Sequence, residues 1–207
     1  MENKDMDMKE SYNRIAEDWH KDHQQDDWWV EGTGEFISFL KPDALVLDLG
    51  CGGGTKSRYL IDKGLQVVGT DFSEKMIEIS KRENPDGTFL VSDLGEVDKL
   101  PYQFDGIFMQ AVLLHVPKKE IIDKLKKVIS KLKDGGSLYI SVKERRQGST
   151  DEEIKIEDDY GYEYKRFFSY FTVDEIESYM QEIGLEVVYS AIKDSFRTNW
   201  IQVIGKK

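Results

Sequence analysis

Asp48, Gly50, Gly52, Gly53 and Gly54 fall within the stretch "DLGCGGG", between an apolar run and the helix-like "TKSRYLIDKG". An acid followed by alternating glycines strips side chains from a strand-to-helix turn, so a ligand can reach main-chain N–H groups at the start of the helix. Asp71 ends a second apolar run, "LQVVGT", about twenty positions further on, where a carboxylate accepts hydrogen bonds from both hydroxyls of a ribose. Asp93, in "VSDL" after a third run, adds an acceptor for an exocyclic amine. Together these residues call for an adenosine-containing ligand. The dinucleotide fingerprint wants Gly or Ala where Thr55 stands, which disfavours NAD, and no Gly-Lys-Ser/Thr closes the run as a phosphate-binding loop requires.

The elements that must position these groups alternate between β-type runs and helical patterns, the mark of a doubly wound α/β fold: a mostly parallel sheet with helices on both faces. The pattern predicts strands over 44–49, 65–70, 88–91, 104–109 and 137–142. Ser73 is placed to cap the helix "EKMIEISKREN", and a helix over 118–132 stops at the turn Lys133-Asp134-Gly135-Gly136. Residues 143–170 are too long for an ordinary loop and predict a cap or small hairpin. A helix over 172–182 follows, then runs at 185–192 and 199–204 that predict an antiparallel hairpin at the sheet edge.

The chain has 207 residues, 39% of them hydrophobic, enough for one sizeable core. No apolar run approaches the roughly 20 residues of a membrane span, and "MENKDMDMKE" has no apolar signal segment, so a cytoplasmic protein without membrane partners is expected. Cys51 is the only cysteine, which excludes an intramolecular disulfide and a cysteine-based zinc cluster. A net charge of −11 argues against nucleic acid as a partner.

In order and motif, "VLDLGCGGG", "VVGTDFSEKMI", "FLVSDL", "FDGIFMQAVLLHV", "LKDGGSLYISV" and the tail "FTVDEIESYMQEIGLEVV" resemble the class I S-adenosylmethionine-dependent methyltransferases. The resemblance implies a seven-stranded sheet with a terminal antiparallel hairpin and S-adenosylmethionine as methyl donor. It also implies that Gly50, Cys51 and Gly52 line the methionine moiety, Asp48 buttresses the loop and Asp71 holds the ribose. Phe72 and Met76 would flank the adenine, Asp93 and Leu94 meet its polar edge, and Gln110 and Ala111 lie beside the methionine end. The expected organisation is a single domain, 1–207, with an N-terminal helical lid over 1–40 and an inserted substrate cap over 143–171. Tyr12, on the lid, is expected to approach the cofactor.

Methyl transfer is an in-line displacement, so alignment and exclusion of water are the protein's main tasks, and a base is needed only when the nucleophile arrives protonated. His115, just beyond the fourth strand, is the candidate base. Trp19, Trp28 and Trp29 on the lid, with Tyr164, Arg166 and Phe167 in the insert, are candidate substrate contacts; the arginine suits a carboxylate or phosphate. "QAVL" after strand four is not the Asn/Asp-Pro-Pro-Tyr/Phe of amino-group methylation on DNA or protein glutamine, which leaves a small metabolite as the leading acceptor. Two rivals share the binding motifs: an NAD-linked oxidoreductase, and a regulator that binds S-adenosylmethionine without catalysis.

Overall fold

The computed structural model describes residues 4–195 and 198–207. Among the described residues nine strands and six α-helices follow in the order α1 (Lys4–Asp22), α2 (Val30–Ser38), β1 (Leu45–Leu49), α3 (Thr55–Asp62), β2 (Gln66–Asp71), α4 (Glu74–Glu83), β3 (Thr88–Val91), β4 (Phe104–Gln110), α5 (Ile121–Ile129), β5 (Leu132–Lys143), β6 (Glu152–Glu157), β7 (Tyr164–Ser169), α6 (Val173–Glu182), β8 (Glu186–Ser195) and β9 (Thr198–Lys206). Seven strands form one sheet in the order β3-β2-β1-β4-β5-β9-β8, and β6 pairs with β7 apart from it. Strands β1 to β5 run parallel; β9 lies antiparallel between β5 and β8. The edge hairpin expected from the sequence is therefore present, and the two residues joining its strands lie outside the described residues. The chain leaves β1 for β2 on one side and returns to β4 on the other, so a crevice opens beyond the carboxyl end of β1.

Period-two alternation splits the sheet between two cores. Val46, Phe108 and Tyr139 face Phe36 of α2 and Leu60 of α3, with Phe108 and Tyr139 stacked 4.6 Å apart. Leu47, Ile107 and Ile140 face the opposite way, toward Leu125 and Val128 of α5 and Ile176 and Met180 of α6. Fully burying each such side chain contributes about 1.5–3 kcal/mol, which fixes the register and with it the strand ends that carry the site. Capping sharpens those ends. Ser73 accepts from the Met76 amide to start α4, and Thr172 and Glu175 form a reciprocal capping box at α6.

Two boundaries differ from expectation. Lys118–Glu120 form a 3₁₀ turn and α5 occupies only Ile121–Ile129. Residues 133–136 are not a free turn but part of β5: Phe104 pairs with Leu132 and Gly106 with Ser137, and the extra residues are taken up in an irregularity with Gly135 at φ 76°. Hydrogen bonds from Gly135 N to Lys207 O and from Lys207 N to Gly136 O hold that irregularity to the end of the chain.

Two segments lie over the carboxyl ends of the strands. Tyr12 and Trp19 pack with Ala16 of α1 on Met76 and Ile79 of α4. On its other side α1 meets the β6–β7 hairpin, where Tyr162 donates to Asp18 and Arg14 lies 4.3 Å from the Tyr162 ring centroid. Among the described residues no helix is long and apolar enough to cross a membrane.

Candidate functional site

At the end of β1 the backbone turns through Gly50, Gly52 and Gly54 at φ of 76°, 53° and 83°. Gly50 and Cys51 donate their amides to Thr70 O at the end of β2, which ties the loop across the crevice. A Cβ on Gly50 would sit 2.5 Å from Val112, so conformation and space both require glycine there. A second strained position faces this loop: Ala111, directly after β4, has φ 58° although it is not glycine.

Two buried carboxylates stand behind the turn. Asp48 accepts from the Ser57 hydroxyl at 2.6 Å, and Asp71 accepts from the amides of Gly52 at 3.0 Å and Ser73 at 2.9 Å. Burial pushes both side chains up to about 6. Gln110 is also buried, with neither side-chain polar atom hydrogen-bonded. An unpaired buried amide costs about 1–3 kcal/mol, so this position is built to meet a polar partner.

These groups open on a cavity of about 1350 Å³. Tyr12, Asp48, Gly50, Cys51, Gly52, Asp71, Phe72, Met76, Asp93, Leu94, Gln110 and Ala111, named from the sequence as cofactor contacts, all line it. Asp93 also serves its own turn, accepting from Gly95 N at 2.6 Å. The Cys51 thiol is buried and raised well above its ordinary value, so it is not a nucleophile. Trp19 and His20 of α1 lie over the loop; a Cβ on Gly53 would stand 2.3 Å from His20 Nδ1, and that glycine makes room for the helix.

Of the expected substrate contacts, Trp19, Trp28 and Arg166 line the cavity, whereas Trp29, Tyr164 and Phe167 do not. Trp29 points into the protein, edge-on to Tyr59 and 5% exposed. Phe167 lies on the opposite face of β7 from Arg166, as alternation demands. Tyr164 shares the Arg166 face but stacks on Tyr160 and donates to Asp159. Phe168 takes the cavity position instead, together with Trp200 and Lys143. Trp28 and Trp200 stack with centroids 4.0 Å apart, one from the loop before α2 and one from β9. Phe168, Trp200 and Lys143 carried no local signal in the sequence, because they come from β7, β9 and β5, separate segments brought together only by the fold.

His115 lines the cavity, but both ring nitrogens are engaged: Nδ1 lies 2.7 Å from Phe167 O and Nε2 lies 2.7 Å from the Tyr12 hydroxyl. A carbonyl only accepts, so Nδ1 carries the proton and Nε2 accepts from Tyr12. Burial, with help from the charges of Arg166 and Lys143, lowers the ring to about 3 and keeps it neutral. Arg166 in turn approaches the Tyr12 oxygen at 3.4 Å while pairing with Glu157 through two hydrogen bonds of 2.6 and 2.7 Å. The arrangement fastens α1 to the strand ends, and in this geometry the Nε2 lone pair that a base would use is occupied by the Tyr12 hydroxyl.

A family model described as a methyltransferase domain matches residues 22–190. A demethylmenaquinone methyltransferase of Renibacterium salmoninarum is 34% identical over 102 residues, covering 48% of this chain and 41% of that protein. A ubiquinone biosynthesis O-methyltransferase of Coxiella burnetii is 29% identical over 133 residues, covering 56% of each. The chain thus spans about half the length of the curated relatives it matches. Among solved structures, a Methanosarcina mazei S-adenosylmethionine-dependent methyltransferase superposes with a TM-score of 0.72 at 23% identity, covering 82% of this chain and 95% of that one. A Burkholderia thailandensis 1,6-didemethyltoxoflavin-N1-methyltransferase reaches 0.75 at 17% identity, covering 96% and 86%. With the family model spanning most of its length, the chain belongs to the methyltransferase-domain family, and its seven-stranded sheet agrees.

Proposed function

We propose that this protein transfers a methyl group from S-adenosylmethionine to a nucleophilic atom of a small metabolite. The observation that carries the reading is Asp71: a buried carboxylate with no ion-pair partner among the described residues, held by two amides beside the glycine turn. Its remaining lone pairs suit the two hydroxyls of a ribose. The orphaned Gln110 amide suits the polar methionine end, and Phe72 and Met76 offer apolar faces for the adenine. The cavity exceeds the ~300–1,000 Å³ usual for one small ligand, which leaves room for donor and acceptor together.

Bound S-adenosylmethionine supplies a methyl group on a positively charged sulfur. The chain's residues orient and enclose: the turn at Gly50 and Gly52, its amides engaged by Thr70 O and Asp71, lets the ligand approach the bare backbone, and α1 acts as a lid, with Trp19 over the loop. The β6–β7 hairpin serves as a cap through Arg166 and Phe168. Proximity and orientation supply up to ~7–11 kcal/mol in favourable intramolecular models. His115 is a positioning residue in this reading, setting Tyr12 against the cavity. The acidic balance and the single buried thiol fit a cytoplasmic enzyme acting on small molecules and not on nucleic acid.

Calorimetry with S-adenosylmethionine, S-adenosylhomocysteine and NAD, on the wild type and on Asp71→Ala, tests the proposal. The adenosyl sulfur ligands are expected to bind, and the substitution to weaken them by about 1.5–3 kcal/mol, roughly ten- to a hundredfold. Binding of NAD alone would overturn it. Methylated product formed from a metabolite pool separates an enzyme from a non-catalytic binder.

A further inference from the structure

The charges around Phe168 do not balance. Three cations surround its ring: Lys143 Nζ at 4.5 Å from the centroid, Arg166 Cζ at 5.1 Å and Lys155 Nζ at 5.5 Å. The acids nearby are Glu157 and Glu153. Glu157 is committed to Arg166, and Glu153 to Lys155 at 3.4 Å and to the Tyr170 hydroxyl at 2.7 Å. The Lys143 ammonium remains, with no hydrogen bond or ion pair among the described residues, lying near the faces of Phe168 and Trp200, the latter at 5.7 Å. An excess positive charge is thus kept in a protein whose net charge is −11.

Its place in the sheet gives that charge a purpose. Lys143 ends β5 opposite Trp200 of β9 and lines the same cavity as the glycine turn. The groups suited to the adenosyl ligand come mainly from the ends of β1, β2 and β3, with Gln110 of β4 beside them. Lys143, Phe168, Trp28 and Trp200 form a wall of aromatic faces around one ammonium. Desolvation, with the like charges of Arg166 and Lys155, pulls Lys143 down to about 8, and an anion placed beside it would offset that loss.

We propose that Lys143 is the anion anchor of the acceptor site and that the methyl acceptor is a flat, conjugated small molecule bearing a negative oxygen, as a ring carboxylate or as an ionised phenol or enol. The proposal rests on the methyltransferase reading for the word acceptor but not for the anion site itself. A planar ring finds aromatic faces at Trp28, Trp200 and Phe168, and its oxyanion completes the ion pair that the protein leaves open. With the His115 Nε2 lone pair engaged by Tyr12, a cation beside the acceptor also favours the ionised, nucleophilic form.

The test is calorimetric titration of benzoate, 4-nitrophenolate, benzamide and benzylamine into wild type, Lys143→Met and Lys143→Arg, with and without S-adenosylhomocysteine. The two anions are expected to bind at least about tenfold more tightly than the neutral and cationic probes. Lys143→Met should remove that preference, Lys143→Arg keep it, and S-adenosylhomocysteine affinity stay within about twofold in both variants, which shows that they are folded. Tighter binding of nitrophenolate identifies the oxyanion as the anchored group, and tighter benzoate a carboxylate handle. Equal binding of benzamide, no binding of either anion to the wild type, or unchanged anion affinity in Lys143→Met overturns the proposal. If S-adenosylhomocysteine fails to bind while the Lys143-dependent preference persists, the methyltransferase reading falls and the anion site stands.

Discussion

Replacing His115 with Gln separates a strut from a base by its pH dependence. The ring falls from an ordinary 6.5 to about 3 in the folded chain, so in the window between these values the unfolded chain binds a proton that the folded one does not. The stability that His115 contributes is therefore complete above 6.5 and is lost as the pH falls toward 3. From about pH 7 to about pH 5 the protonation factor of one unfolded histidine grows roughly 25-fold, or about 2 kcal/mol; solvent reaching the half-buried ring through the cavity trims this toward ~1.5. Asp48 and Asp71 act with the opposite sign: raised from 3.8 to about 6, they take up protons in the folded state and add stability as the pH falls through that interval. The wild-type profile alone therefore conceals the histidine. Urea unfolding of wild type and His115→Gln side by side cancels the carboxylates, as well as His20 and His23, which burial also lowers. The stability gap between the two proteins is expected to narrow by about 1.5–2 kcal/mol on acidification from about pH 7 to about pH 5. A gap independent of pH, or an NMR titration of the His115 ring centred near its ordinary value, refutes the neutral-strut account and restores the base.

Gly50→Ala must place a Cβ at positive φ against Val112, and should destabilise the protein by at least the ~1–2 kcal/mol of a left-handed non-glycine residue; thermal melts of this variant and of Gly50→Ala/Val112→Ala separate the steric part, which the second change should recover. Glu157→Gln strips Arg166 of its carboxylate partner at a position where both side chains are mostly covered, and should cost about 1–3 kcal/mol in urea unfolding; an unchanged midpoint would mean that the pair contributes nothing to holding the hairpin.

The proposed donor half of the site was legible because its signals are local. One turn must be glycine for conformational reasons, and Asp71 follows at a spacing that one βαβ unit dictates; the alternation in β1, β4 and β5 then fixes which strand ends meet. The acceptor half was not. Arg166 was visible as a charge among aromatics, but which of Tyr164, Phe167 and Phe168 joins it depends on the face that β7 presents, and that is set by the hairpin register of Glu157 with Tyr164 and Ile154 with Phe167. Trp29 was indistinguishable from Trp28 in sequence; the turn before α2 sends one inward to Tyr59 and the other onto Trp200. Lys143 read as the start of an insert, and its isolation from acids emerges only once Glu153 and Glu157 are seen to be taken.

His115, Tyr12 and Arg166 also bear on how the proposed reaction handles its proton. Tyr12 gives its hydrogen to His115, and Arg166 points its own toward the Tyr12 oxygen, so this chain of contacts has no free lone pair on nitrogen with which to accept a proton from the acceptor. In the proposed reaction an acceptor with an ionisable hydroxyl is best served by arriving already ionised, and the unpaired Lys143 ammonium is the group that favours that form. Each unit by which Lys143 lowers the acceptor's pKa is worth about 1.4 kcal/mol toward the reactive form. Under the proposed reading, the contacts that fasten α1 through His115 therefore narrow the choice of substrate toward acceptors acidic enough to arrive as anions.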